Sequence, residues 1–386
     1  MTAAVAMTDV LGGQIVKVLR SLRWVPAYCW QRMTRRVPSR GPIHVMVAIA
    51  NHFEPEFMST PGEYADLNER ERRVEVWCQE YQALADPWRD VDGSPLRQTY
   101  FYPAEHYDRR LIDRLAAHCR AGWGEIEIHL HHGIQKPDTA ENTRRALLDF
   151  RDVLAGHGCL SYLDEEGPPR YAFVHGNWAL ANSSGGRFCG VDDEMQILAD
   201  TGCYADMTLP SAPDTTQTAK INALYECRSR FNKRAPHRTG RNLRAGQAPT
   251  RFPLIVQGPL GVNFSGLLPR PLPHIENGEL TANNPPTMRR LTLWRNAAIS
   301  VGNRPDWLFV KLHCHGMIPE DTRALLGQPM QRFLGDLIEE GRAGGRYQTH
   351  FVTAREMVNI ILAACDGRNG NPGSYRDYRF RVRLAG

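Results

Sequence analysis

The sequence predicts an α/β fold, a distorted β/α barrel of seven or eight parallel strands with long loop insertions. Three observations predict it. Short apolar or alternating runs recur down the chain, and most are followed by a stretch whose apolar residues keep helical spacing. Alternation of strand and helix is the pattern of a parallel sheet. A chain of 386 residues also suits one barrel of about 250 residues enlarged by insertions. Hydrophobic residues at 42% and charged residues at 23% exclude wholesale disorder.

Residues 1–40 read as a separate basic arm. Lys17, Arg20, Arg23, Arg32, Arg35, Arg36 and Arg40 stand against the single acid Asp9, so the arm accounts for the net charge of +5. The near-neutral remainder excludes a nucleic-acid-binding body, which would carry its own basic face. One reading of the arm is a solvated terminus. The other is an amphipathic segment, with Leu19, Leu22, Trp24, Trp30 and Met33 among its apolar residues, lying on an anionic membrane surface. The barrel domain is read over 41–370 and a tail over 371–386.

Within the barrel, residues 44–50 are a short apolar strand. Residues 67–84 form a helix with Val74, Trp77, Tyr81 and Leu84 on one face. Residues 99–102 are aromatic and β-prone. Leu111, Ile112, Leu115 and Cys119 mark a helix, and 125–131 alternates as a strand does. Asp138 with Glu141 reads as a capping box for a helix that Gly156 ends. Residues 171–175 are a strand, and Met195, Ile197 and Leu198 belong to a helix ending at Gly202. The polar, basic stretch 211–250 and the Pro/Gly-rich stretch 258–290 read as long loops. Regularity returns with a strand over 307–313, a helix through Phe333 and Ile338, and a strand over 347–352. Thr353 with Glu356 is a second capping box.

Nine cysteines, odd in number and without a CxxC, make neither a disulfide framework nor a zinc knuckle and suit a reducing compartment. No window of eighteen apolar residues and no secretory leader is read. The expectation is a cytoplasmic chain, with peripheral contact at the inner membrane face through residues 1–40. Nucleotide-binding glycine motifs and the G-x-S-x-G elbow are absent.

Of fourteen histidines, His52, His129, His131, His132, His175, His313 and His315 fall at or just past the carboxyl ends of expected strands, where α/β folds build active sites. Period-two alternation puts His129 and His131 on the face of Glu125 and Glu127, away from Ile126, Ile128 and Leu130. It likewise groups Lys311, His313 and His315, groups His175 with Asn177, and points Cys314 away into the core. Buried imidazoles from four strands need pairing or coordination, and neutral imidazole suits a divalent ion, zinc first. An ion would acidify a water and polarise a carbonyl. Glu54 is the first choice of general base, with Glu127 and Glu105 in reserve.

Four segments resemble NodB-like polysaccharide deacetylases within the glycoside hydrolase/deacetylase barrel superfamily: 45–54 (VMVAIANHFE), 125–133 (EIEIHLHHG), 202–210 (GCYADMTLP) and 308–315 (LFVKLHCH). The TARE of 353–356 resembles the start of such a domain's last helix, so the likeness spans 42–366. It implies a metal-dependent hydrolase, with His52, His129 and His131 or His132 as ligands. His313 or His315 would be the late-strand histidine that protonates the leaving group or steadies the oxyanion. Asn51 stands where the family has its general-base aspartate, and His52 where it has a liganding aspartate. A neutral amide takes no proton from water.

The expected function is hydrolysis of an amide or ester on a carbohydrate or glycolipid. His175, Asn177, Trp178, Asp206 and Lys311 are expected to bind substrate, with Trp178, Trp88 and Tyr102 as sugar-stacking aromatics. Lys233, Arg234 and Arg238 would meet an anionic group. Two rivals are a glycoside hydrolase using carboxylates such as Glu54, Asp206 and Glu127, and a glycan-binding protein that has lost its base at Asn51.

Overall fold

A computed structural model describes residues 21–60, 62–264, 274–342 and 345–383. In chain order the elements are α1 (Val25–Thr34), β1 (Ile43–His52), α2 (Leu67–Ala85), β2 (Gln98–Pro103), α3 (Arg109–His118), β3 (Gly124–Leu130), α4 (Ala140–Gly156), β4 (Ser161–Tyr162), β5 (Tyr171–His175), α5 (Glu194–Thr201) and β6 (Cys203–Asp206). There follow β7 (Leu224–Cys227), β8 (Gly240–Asn242), β9 (Leu254–Val256), β10 (Gly261–Asn263), β11 (His274–Glu276), α6 (Met288–Asn296), β12 (Trp307–Cys314), α7 (Pro319–Leu326), α8 (Gln328–Arg342), β13 (Tyr347–Phe351), α9 (Ala354–Cys365) and β14 (Arg381–Val382).

The fold is α/β, built on a ten-stranded sheet ordered β12-β1-β2-β3-β5-β6-β9-β7-β8, with β13 also paired to β1. From β12 to β9 every pair is parallel, as the strand–helix alternation predicts. One edge of β1 serves two neighbours in turn: Ile43–Val47 pair β13, and Ala50–His52 pair β2. Among the described residues no backbone ladder closes the sheet. The sheet is nevertheless strongly curled. Lys311 Nζ on β12 donates to the Met207 carbonyl just past β6 at 2.7 Å, although five strand spacings in a flat sheet would be about 24 Å. Gly258, after β9, lies against β12 so closely that a Cβ would sit 2.3 Å from the Lys311 carbonyl oxygen.

Alternation along each strand sorts residues to two cores. Ile43, Val45, Val47, Ile49, Ile126, Ile128, Leu308, Val310, Leu312 and Cys314 pack with apolar residues of α2, α3, α4, α5 and α8. Met46, Ala48, Ala50, Val174, Leu254, Val256 and Phe309 meet α9, every residue of which is buried. A helix buried all round belongs in a protein interior, and its polar residues Arg355, Glu356 and Asn359 are paired there. The polar face of β3 therefore does not look onto an open lumen. Glu125 pairs with Arg355 of α9 at 2.7 Å, and Glu127 accepts from the Tyr204 hydroxyl and, at 2.6 Å, from the Ala172 N–H.

Four expectations are corrected. Residues 211–250 are not one long loop, because β7 and β8 extend the sheet antiparallel beyond β9. Residues 258–290 include the β10–β11 hairpin. The cap of α4 is Thr139, which accepts from the Asn142 N–H at 3.2 Å, while Asp138 turns to His132. The described half of the basic arm is docked: Trp24 is buried with Ala212, Ile221 and Leu260, and Gln31 and Arg35 donate to the carbonyls of Ile221 and Asn222. Residues 1–20 lie outside the described residues. The described part of the tail is tied to the body, with β14 pairing β4 and Phe380 stacked on Tyr204 at 4.6 Å between centroids. Among the described residues no helix is long and apolar enough to cross a membrane.

Candidate metal centre at the strand ends

The order β12-β1-β2-β3 brings the carboxyl ends of four strands side by side. His52 ends β1 and Glu54 follows it. Glu105 follows β2, His129 and His131 flank the end of β3, and His313 and His315 flank the end of β12. Glu54 is the hub. Its Oε1 lies 3.1 Å from His131 Nε2 and 3.3 Å from His129 Nε2, and its Oε2 lies 3.9 Å from His315 Nε2. The His52 ring stands 4.7 Å from His315, 4.9 Å from His129 and 6.2 Å from His313 between centroids.

The second nitrogen of each ring decides what the first can do. His129 Nδ1 donates to the Val174 carbonyl at 2.8 Å, so in the neutral ring Nε2 presents a lone pair to the Glu54 carboxylate. Both His129 Nε2 and Glu54 Oε2 are buried without a hydrogen-bond partner. Two acceptors facing each other in a dry site repel unless a cation lies between them. His131 Nδ1 is held by Glu105 at 2.5 Å, the carboxylate–histidine arrangement that orients metal ligands. Glu54, His129 and His131 place their ligand atoms within 4.8 Å of one another. Gly176 makes room for His131, since a Cβ there would lie 2.2 Å from its Cδ2.

Burial pushes the Glu54 carboxyl up, but the imidazoles of His129 and His131 beside it hold it well below the usual carboxylate range. Burial, with His315 and His129 adding to it, keeps His52 neutral far below its ordinary value. Burial lowers His131 too, yet hydrogen bonds to Glu105 and Glu54 win and raise it to about 10. The site has an open side: His131, His315 and Glu105 keep 13%, 24% and 27% of their side-chain exposure. His313 connects it to a cleft of about 360 Å³ lined also by Trp178, Pro210, Asp214, Asn277 and Glu279.

Other expected site residues lie elsewhere. Asn51 spends both ends of its amide, donating to Gln98 at 2.9 Å and accepting from the Gly316 N–H at 2.9 Å, so it clamps β1 to β2 and the turn after β12. Asp206 and Lys311 are buried and occupied by Thr208 and Met207. Burial raises Asp206 to about 7 and lowers Lys311 to about 7; neither faces the cleft. Tyr102 is core, and Trp88 packs on Gly335 of α8. Arg234 and Arg238 each brace a carbonyl, of Asn182 and Ser183 respectively, and Lys233 and Arg234 stay exposed. Asn177 and Trp178 remain half-buried, with Trp178 in the cleft. His132 does not join the Glu54 group: it meets His175, Cys189 and Glu194 in a separate buried cluster.

Sequence reasoning missed Cys189, Glu194 and Glu56. A search for paired cysteines passes over a lone ligand, and nothing in a linear spacing joins 132 and 175 to 189 and 194. Glu56 is buried, with both carboxylate oxygens lacking hydrogen-bond partners, and burial raises it to about 7. A third acid–histidine group, Asp90, Asp92 and His350, already holds a cation, the Arg376 guanidinium at 2.9 Å from both carboxylates. No family model, no curated protein and no solved structure matches this chain.

Proposed function

We propose that the chain is a metal-dependent hydrolase that cleaves an amide or ester, with deacetylation of a carbohydrate or glycolipid as the leading case. The observation that carries this reading is that Glu54, His129 and His131 bring their ligand atoms within 4.8 Å of one another beside an opening, where an ion would take the place of the proton His131 shares with Glu54. A divalent ion held there, zinc by donor chemistry, supplies an acidified water and a polarised acyl carbonyl. This assigns Glu54 to holding the ion, a change from its expected part as base. Glu105 fixes the His131 ring. His315, partly exposed beside Glu54, is placed to take the proton of a water. His315 would then return that proton to the leaving group, and His313, which burial keeps neutral and which lines the cleft, would steady the oxyanion. Trp178 offers a face for a sugar ring. The fold reading that accompanies this function is a distorted barrel resembling the NodB-like deacetylases, closed by contacts such as Lys311 on Met207.

The glycoside hydrolase reading is weaker, because Asp206 and Glu127 are buried and hydrogen-bonded away from the cleft. Metal content and acetate release on acetylated oligosaccharides test the proposal together. Glu54→Gln is expected to lose one ion per chain and all acetate release, whereas His315→Gln keeps the ion and loses at least 100-fold in kcat, the scale of acid–base catalysis. Release of reducing ends without metal would favour the glycosidase. Glycan binding with no turnover would favour a binding protein.

The arm supports a membrane contact as part of the same proposal. Trp30 and Met33 of α1 stay 64% and 65% exposed, next in sequence to Arg32, Arg35 and Arg36. Apolar residues among arginines suit an anionic bilayer surface.

A further inference from the structure

We infer that His132, His175, Cys189 and Glu194 form a second metal site, closed and tetrahedral, whose ion pins the segment between β5 and α5 to the turn after β3. All four residues are buried, and their ligand atoms lie within 4.8 Å of one another. His132 Nε2 is 3.0 Å from Glu194 Oε1 and 3.1 Å from His175 Nε2, and His175 Nε2 is 3.5 Å from Glu194 Oε1. Zinc bonded at about 2.0–2.1 Å to nitrogen and oxygen has tetrahedral edges of about 3.3 Å. These three atoms match one face of that solid, and the Cys189 sulfur supplies the fourth corner.

Each donor is held from behind. His132 Nδ1 donates to Asp138 at 3.0 Å and His175 Nδ1 to the Gly176 carbonyl, so both Nε2 atoms turn inward, and an ion there would take the place of the proton that His132 Nε2 shares with Glu194. The backbone N–H groups of Asn182 and Val191 point at Cys189 Sγ from 3.3 and 3.4 Å, which supports a thiolate. Glu194 Oε2 accepts from the Ala181 N–H, leaving Oε1 for the centre. Such outer partners are the hallmark of metal ligation.

With no open corner, the site is structural and not catalytic. Its work is visible in the segment it closes, where Asn177, Trp178, Ala181, Asn182 and Phe188 all adopt positive φ, a conformation that surrounding structure must impose. Gly133 and Cys189 are pressed together, a Cβ at Gly133 falling 2.1 Å from the Cys189 carbonyl oxygen. Trp178 of the cleft and Gly176 against His131 both lie on this segment, so the ion sets the wall of the neighbouring centre. Binding would displace two protons to solvent, that of Cys189 and the one shared by His132 Nε2 and Glu194. The site uses residues distinct from the Glu54 centre and stands whether or not that centre is catalytic.

The test is absorption spectroscopy on the full chain produced in cobalt(II) medium, with metal content measured in parallel. Among the His/Cys/Asp/Glu clusters of the described residues only this one contains sulfur, so a thiolate-to-cobalt charge-transfer band reports it alone. The band is expected in the wild type, retained in Glu54→Gln and lost in Cys189→Ser together with one ion per chain. No band in the wild type, or a band that survives Cys189→Ser, overturns the inference. If Cys189→Ser does not fold, X-ray absorption at the cobalt edge of Glu54→Gln decides: one sulfur neighbour upholds the site and none refutes it.

Discussion

The histidines of this chain divide by what stands behind each ring. Where a carbonyl or carboxylate takes the Nδ1 proton, as at His129, His132 and His175, Nε2 is left to face other donors. His118 is the opposite case: its Nε2 accepts from the Tyr100 hydroxyl at 2.9 Å deep in the core, and burial pushes it down to about 4. Since the unfolded chain binds a proton near 6.5, the folded chain binds fewer protons between these values. Stability from this group is full above pH 6.5 and is lost as pH falls toward 4, at up to about 1.4 kcal/mol per pH unit. Urea midpoints measured at pH 7 and pH 5 should fall less steeply in His118→Gln than in the wild type; equal slopes would remove His118 from the account. A second prediction at this scale concerns space. Gly176→Ala drives a methyl into the His131 ring, so it should lower the proposed hydrolysis tenfold or more, equivalent to about 1.4 kcal/mol of barrier, while the urea midpoint of the global transition stays near wild type.

Caps show how an element obeys local rules until a stronger partner intervenes. Thr353 and Glu356 form the reciprocal capping box that their spacing predicts for α9. Thr353 Oγ1 also donates to Glu125 at 2.7 Å, tying the cap to β3. Thr353→Ala should therefore cost about 1–2 kcal/mol, read as a lower urea midpoint at unchanged slope; a loss under about 0.3 kcal/mol would contradict the cap's role. At α4 the cap lies one residue later than the Asp138–Glu141 spacing suggests. Asp138 is taken by His132 at 3.0 Å and by the Thr143 hydroxyl at 2.9 Å, so Thr139 caps instead.

Across the whole molecule, the buried helix α9 holds the curled sheet together. Arg355, nearly fully buried, joins Glu125 of β3 at 2.7 Å and reaches Asp377 of the tail. Removing one partner of such a pair leaves the other charge stranded, so Arg355→Met should cost about 3–5 kcal/mol. A thermal melt tests this, and a shift of Tm within error of the wild type would show that α9 is held by apolar packing alone. The curl brings β12 beside the segments after β6 and β9 and shapes the cleft at His313.

The alternation of 125–131 and 307–315 was enough to separate core residues from histidine-bearing faces, because side-chain direction in a strand is a local property. Strand ends were legible for the same reason, and with them His52, His129, His131, His313 and His315. Which imidazoles share a centre was not. His131 and His132 are adjacent in sequence, but they part to different clusters once the strand ends and lose its alternation. The partners of His132 come from segments whose approach depends on sheet order and on close packing at Gly133. Asp206, Lys311 and Glu127 read as site residues by type. The curl of the sheet and the burial of α9 placed them inside, where desolvation requires each polar group to be matched by a neighbour.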